Sequence, residues 1–304
     1  VVFFVTILSG CRGKGDQKTA EHVVALVVKT LNHPFFIDMQ KGAEQAAVGT
    51  GVRLMVQGPE REIDVEKQMQ IIENLIQRRV SALCIAPCGS REIVPAVVKA
   101  NQAGIPVLII DTRVDSVTLA ESGGRIETFI GSDNYQGGRL AGEFIVEKLG
   151  GKGEVAVLEG IPGHETGDAR KSGFHDVLDG VPGMEVTASL TANWERDQGY
   201  MVFQNILQSH PDVDALFACN DLMALGAAEA ISMAGKKGQI LVIGFDALED
   251  ARHAILRGEM DATIAQHPFE MGRRAVQSAH EILQGKRIPP EIPVEIELVT
   301  RDKL

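Results

Sequence analysis

Short apolar runs recur along this chain at fairly even spacing, and most are followed by a stretch with helical patterning. The first half holds "VVALVV" (23–28), "VRLMV" (52–56), "VSALCIA" (80–86), "IPVLII" (105–110) and "ETFIG" (127–131). The second half holds "GEVAVLE" (153–159), "MEVTASL" (184–190), "VDALFA" (213–218), "QILVIGF" (239–245) and "DATIAQ" (261–266). Most runs are apolar at consecutive positions, which is the pattern of strands buried on both faces of a parallel sheet. Helical patterns fill 62–79, 134–149, 195–208 and 221–234, and glycines mark many of the joins. The alternation predicts an α/β protein with right-handed crossovers. Two similar series predict two doubly wound lobes, with a boundary near Ser132–Asp133. The last segment, 267–304, adds one helix and one strand, "VEIELV" (294–299), whose lobe the pattern leaves open.

Composition fits this reading. The chain has 304 residues, 44% of them hydrophobic, enough for a sizeable core and two domains. A net charge of −11 argues against a nucleic-acid partner. The N-terminal "VVFFVTILSGC" (1–11) is too short to span a bilayer and reads as the apolar part of an export signal. "LSGC" (8–11) resembles a bacterial lipoprotein signal, in which Cys11 is lipidated; residues 12–21 then read as a tether. Cys84 and Cys88 have no second pair at zinc-like spacing, so buried thiols are expected there and at Cys219.

In open α/β sheets, ligands bind beyond the carboxyl ends of the strands. The residues there are Asn32, His33, Phe35 and Phe36; Asp111, Thr112 and Arg113; His164, Glu165, Asp168 and Arg170; Asn193, Trp194 and Glu195; Asn220 and Asp221; Asp246; and Gln266 with His267. Carboxylates accept, arginine donates in a planar fork and amides do both, which is what a polyhydroxylated neutral ligand requires. Aromatic rings would cover its C–H faces. Adjacent residues on a helix point about 100° apart, so Phe35 and Phe36 are expected to divide their work between ligand and core. Each residue also has a plainer role open to it. Asp111 and Asp246 suit turns, Asn220 suits a helix N-cap, Arg170 could pair with Asp168 on the surface, and Trp194 could anchor the core. Convergence at five or more strand ends favours one shared site. No G-x-S-x-G, H-E-x-x-H, Walker A or strand–helix G-x-G-x-x-G occurs, so no catalytic role, metal or cofactor is expected.

Six motifs carry a resemblance: "LNHPFF" (31–36), "IPVLIID" (105–111), "SDNYQGGRLAGE" (132–143), "HPDVDALFACNDLMALGA" (210–227), "VIGFDA" (242–247) and "ATIAQHP" (262–268). The chain resembles the ribose-type sugar-binding proteins of bacterial ABC importers, the type I periplasmic binding proteins, over about residues 22–300. The resemblance implies a first lobe of 22–132 plus 267–294, a second of 133–266 plus 295–304, and a multi-stranded hinge. It implies ligand contacts at His33, where ribose binders have Asn, at stacking Phe35 and Phe36, and at Asp111. In the second lobe it implies Arg170, Trp194 in place of a stacking Phe, Asn220, Asp246 and Gln266. "DTR" (111–113) departs from the usual "DR", so Thr112 fills the arginine position and Arg113 is displaced by one. Neighbours on an extended strand face opposite ways, so Arg113 reaches the ligand only if the chain bulges.

The implied function is extracytoplasmic capture of a monosaccharide between closing lobes and its delivery to ABC permease subunits. Pentose, hexose and polyol stay open as ligands. A periplasmic monomer is expected, without cofactor, and tied to a membrane only through a lipid at Cys11. The same pocket would serve a protein feeding a chemotaxis or signalling receptor. A repressor core and a sugar-modifying enzyme are remoter alternatives.

Overall fold

A computed structural model describes residues 22–304. The expected export signal and tether, with Cys11, lie outside the described residues. The first series gives β1 (Val23–Val27), α1 (Pro34–Thr50), β2 (Arg53–Gln57), α2 (Val65–Gln77), β3 (Ala82–Ile85), α3 (Val94–Gln102), β4 (Val107–Ile110), α4 (Ser116–Glu121) and β5 (Thr128–Ser132). The second gives α5 (Asn134–Leu149), β6 (Gly153–Glu159), α6 (Glu165–Leu178), β7 (Met184–Thr191), α7 (Arg196–Ser209), β8 (Ala215–Ala218), α8 (Asp221–Met233), β9 (Leu241–Asp246), α9 (Glu249–Leu256) and β10 (Ala262–Ala265). The chain ends with α10 (Pro268–Leu283), β11 (Glu291–Val294) and β12 (Glu297–Thr300).

These form two six-stranded sheets, ordered β11-β5-β4-β3-β1-β2 and β12-β10-β9-β8-β6-β7. All strand pairs are parallel except β10 with β12. Central strands β1, β3, β4 and β8 are almost wholly buried, matching their unbroken apolar runs. Helices cover both faces of each sheet: α1 and α10 pack together on one face of the first, α2 and α3 on the other. In the second sheet α5 pairs with α6, and α7 with α8.

One expectation is corrected. "VEIELV" is not a single strand: β11 joins the first sheet through β5, and β12 joins the second through β10. An extended segment can pair with only one sheet edge, and here the chain passes from one sheet to the other between Val294 and Glu297. It also passes between them after β5 and after β10. Pro293 is tolerated because β11 is an edge strand. Cys84, Cys88 and Cys219 are separate buried thiols. No helix among the described residues is long and apolar enough to cross a membrane.

Candidate functional site

Each sheet reverses its strand order once, between β1 and β3 in the first and between β6 and β8 in the second. At such a switch point the connections leave in opposite directions and open a crevice. The two crevices face each other across a narrow cavity of about 30 Å³. The walls are Lys29, His33, Phe35, Phe36, Glu62 and Asp111 from the first sheet's side. From the second come Thr166, Arg170, Trp194, Asn220, Asp246 and Gln266.

The loop after β1 is built around the start of α1. His33 is the N-cap, and its Nδ1 accepts the Phe35 backbone N–H at 3.1 Å. Pro34 follows at the first helical position, where its missing N–H costs nothing. With Nδ1 used for the cap, the neutral ring presents Nε2–H as a donor. Burial pushes the His33 pKa down, which keeps the ring neutral. Phe35 and Phe36 both reach the cavity and meet edge to face, with centroids 5.2 Å apart and planes at 83°.

Across the cavity, Trp194 is only 5% exposed. Its indole lies on the backbone of Gly160, where any Cβ would overlap the six-membered ring, and beside Gly167. The Trp194 carbonyl accepts the Asn220 side-chain amide at 3.1 Å. Asn220 also caps α8 through Oδ1, accepting the Met223 N–H at 2.9 Å, so its capping and site roles coexist. Arg170 lies flat over Phe245, its guanidinium carbon 3.7 Å from the ring centroid. It donates to the Asn134 side chain at 2.9 Å and to the Cys219 carbonyl at 2.6 Å, and stands 3.8 Å from Asp246. Gln266 donates to Asp246 at 2.8 Å. Burial raises the Asp246 pKa to about 6, with Arg170 pulling the other way, so the carboxylate is ionised at neutral pH. Asp221 is buried outside the cavity lining. It accepts from Thr263 at 2.7 Å and from the Leu248 N–H at 2.8 Å, which ties down the loop presenting Asp246.

Backbone strain concentrates here. Asp111, Asn193, Trp194, Asp246 and Ala247 all have positive φ without being glycine; among the described residues only Arg79 shares this elsewhere. Such conformations persist where surrounding structure enforces them, often at functional sites.

Two expected residues stand apart from the cavity. Thr112 is fully buried and donates to Asp111 Oδ2 at 2.9 Å, supporting that carboxylate. Arg113 turns outward, its guanidinium carbon 3.8 Å from the Phe129 ring centroid and its fork on Glu291. The cation beside Asp111 is Lys29 instead, with Nζ 3.0 Å from Asp111 and 3.9 Å from Glu62. Burial pulls the Lys29 pKa down, but the two carboxylates more than offset this and hold it above its ordinary value. Burial raises Glu62 to about 7 against the pull of Lys29.

Lys29, Glu62 and Thr166 were not legible from the strand-end rule as applied above. Lys29 had a signal, a lysine directly after an apolar strand. Glu62 follows edge strand β2 by five residues, farther past the strand end than the residues considered above.

Comparison with known proteins agrees with this geometry. Residues 24–287 match the periplasmic binding protein domain family. The ribose import binding protein of Bacillus subtilis is 41% identical, over 94% of this chain and 89% of its own length. The D-allose-binding periplasmic protein of Escherichia coli is 35% identical, over 90% and 89%. A crystal structure of an ABC transporter periplasmic solute-binding protein from Actinobacillus succinogenes with bound D-allose superposes with a TM-score of 0.89, at 36% identity, covering 93% of this chain and 99% of that one. The chain belongs to the periplasmic binding protein family, among its ribose-type members.

Proposed function

We propose that the protein captures one monosaccharide between its two lobes, outside the cytoplasm, and delivers it to an ABC permease. The observation that carries this reading is the cavity itself: aromatic plates from both sheets, with donors and acceptors converging between them. Residues 22–132 with 267–294, and 133–266 with 295–304, act as the two lobes. Ligand bridges both and therefore binds the closed form better, which shifts the population toward closure.

In this reading Trp194 covers one face of the sugar ring and Phe35 or Phe36 the other. Asp111 and Asp246 accept from hydroxyls, while Arg170, Lys29 and His33 Nε2–H donate. Asn220 and Gln266 complete the polar rim. Lys29 occupies the role that the family pattern gives to arginine at position 112. The relatives named above bind ribose or allose, which supports an aldose of five or six carbons. Binding requires no covalent chemistry, and the sugar is released unchanged.

A thermal-shift screen against D-ribose, D-allose, D-arabinose and myo-inositol, followed by calorimetry, tests the reading. Saturating ligand at 100 Kd is expected to stabilise the protein by about 2.7 kcal/mol. Absence of any shift across the panel, or recovery of a chemically altered sugar, would overturn it. Cys11 as a lipid anchor rests on "LSGC" (8–11) alone, and mass spectrometry of membrane-extracted protein tests it.

A further inference from the structure

The lobes also touch beside the cavity. The start of α6, in the second lobe, rests on the loops after β3 and β4 in the first. The Glu165 N–H donates to Ser90 Oγ at 3.3 Å. His164, just before α6, is 4% exposed. Its Nδ1 accepts the Trp194 indole N–H at 3.4 Å, with the two rings tilted 34° apart. The Cys88 backbone of the first lobe lies close enough to the ring to act on it. A neutral imidazole can accept the indole N–H at Nδ1; an imidazolium has no acceptor left for it.

We propose that His164 is a positioning residue for capture, tying the seat of Trp194 to the arrival of the first lobe so that the indole is locked only when the lobes are closed. This rests on the sugar-capture reading above.

The electrostatics agree with it. Lys29 and Asp111 face His164 from the first lobe, and Glu165 adjoins it on α6. Burial, and then Lys29, lower its pKa to about 4 in this closed form. When the lobes part, water reaches the ring and its pKa returns toward about 6.5. Closure then requires the neutral ring. Its contribution is complete above about pH 6.5 and is lost as pH falls toward 4, by up to about tenfold in affinity per pH unit.

Trp194 is the only tryptophan in the chain, so its emission reports on the indole's surroundings, sugar and His164 together. D-Allose and D-ribose are titrated into wild type, His164→Gln and His164→Leu at pH 7.5 and 5.5, with off-rates by stopped flow. His164→Leu is expected to release sugar about tenfold faster, with an on-rate within about threefold of wild type. His164→Gln, which can still donate and accept, is expected to recover most of that loss. Wild type should weaken between the two pH values by about tenfold more than His164→Gln. His33, Glu62 and Asp246 titrate in all three proteins, so the difference isolates His164.

Equal off-rates and parallel pH profiles would overturn the proposal. If His164→Leu fails to fold, the comparison of wild type with His164→Gln decides alone. If neither sugar alters wild-type emission or produces heat, the sugar-capture reading fails, and the latch with it. Binding that is insensitive to His164 removes only the latch.

Discussion

His33 meets two demands with one ring: Nδ1 caps α1 and Nε2 is left to donate into the cavity. An asparagine there could divide its amide in the same way, though with a different donor geometry. Trp194 is seated by the absence of a side chain at Gly160. Trp194→Ala is expected to cost about 2–4 kcal/mol of sugar affinity, read by calorimetry. Gly160→Ala should weaken binding by tenfold or more while leaving the circular dichroism spectrum unchanged, because its Cβ displaces the indole and little else. Lys29 neutralises two carboxylates in a dry place, so Lys29→Met is expected to destabilise the fold by about 3–5 kcal/mol in denaturant unfolding. The raised pKa of Glu62, about 7, means that the folded state holds a proton the unfolded chain has released. Its stabilising effect is full below about pH 4.5 and lost as pH rises through about 7. Glu62→Gln should therefore gain stability on wild type across that window, by about 3 kcal/mol at most.

At the scale of elements, paired helices approach through glycines rather than interlocking large side chains. A Cβ at Gly42 of α1 would overlap the Phe269 carbonyl of α10, and one at Gly272 would overlap that of Met39. Gly138 with Gly173 does the same for α5 and α6, and Gly199 with Gly226 for α7 and α8. Close backbone contact fixes where each helix begins relative to its sheet, and so where His33 and Arg170 project. Gly42→Ala is expected to lower stability by about 1–3 kcal/mol through overpacking, measured by thermal unfolding. At one strand end the backbone conformation decides which side chains face the cavity. Asp111 adopts a left-handed φ of 62°, which breaks the two-residue period just where Thr112 and Arg113 follow. The first turns inward behind Asp111, and the second is sent out to Phe129 and Glu291.

At the scale of the molecule, the chain passes between sheets after β5, after β10 and between β11 and β12. In the proposed capture these three crossings would serve as the hinge about which the lobes close. Small-angle scattering with and without the bound sugar should show a smaller radius of gyration in the complex. Hydrogen exchange should slow at the loops after β3 and β4 and at the start of α6. Equal scattering profiles at saturation would show that closure does not accompany binding.

The sequence by itself determined the architecture. Unbroken apolar runs between helical patterns admit few structures other than parallel sheets covered on both faces, and the strand-end rule points to His33, Asp111, Arg170, Trp194, Asn220, Asp246 and Gln266, which line the cavity. Those signals are local, because burial of a strand writes itself into consecutive residues. The tertiary structure decided what depends on two distant segments meeting. It divided "VEIELV" between sheets and replaced Arg113 by Lys29 beside Asp111. It also brought Glu62 in from an edge loop, and set His164 against the Trp194 indole. A cavity formed by two sheets has no period of its own along the chain, so its membership is fixed only when the lobes come together.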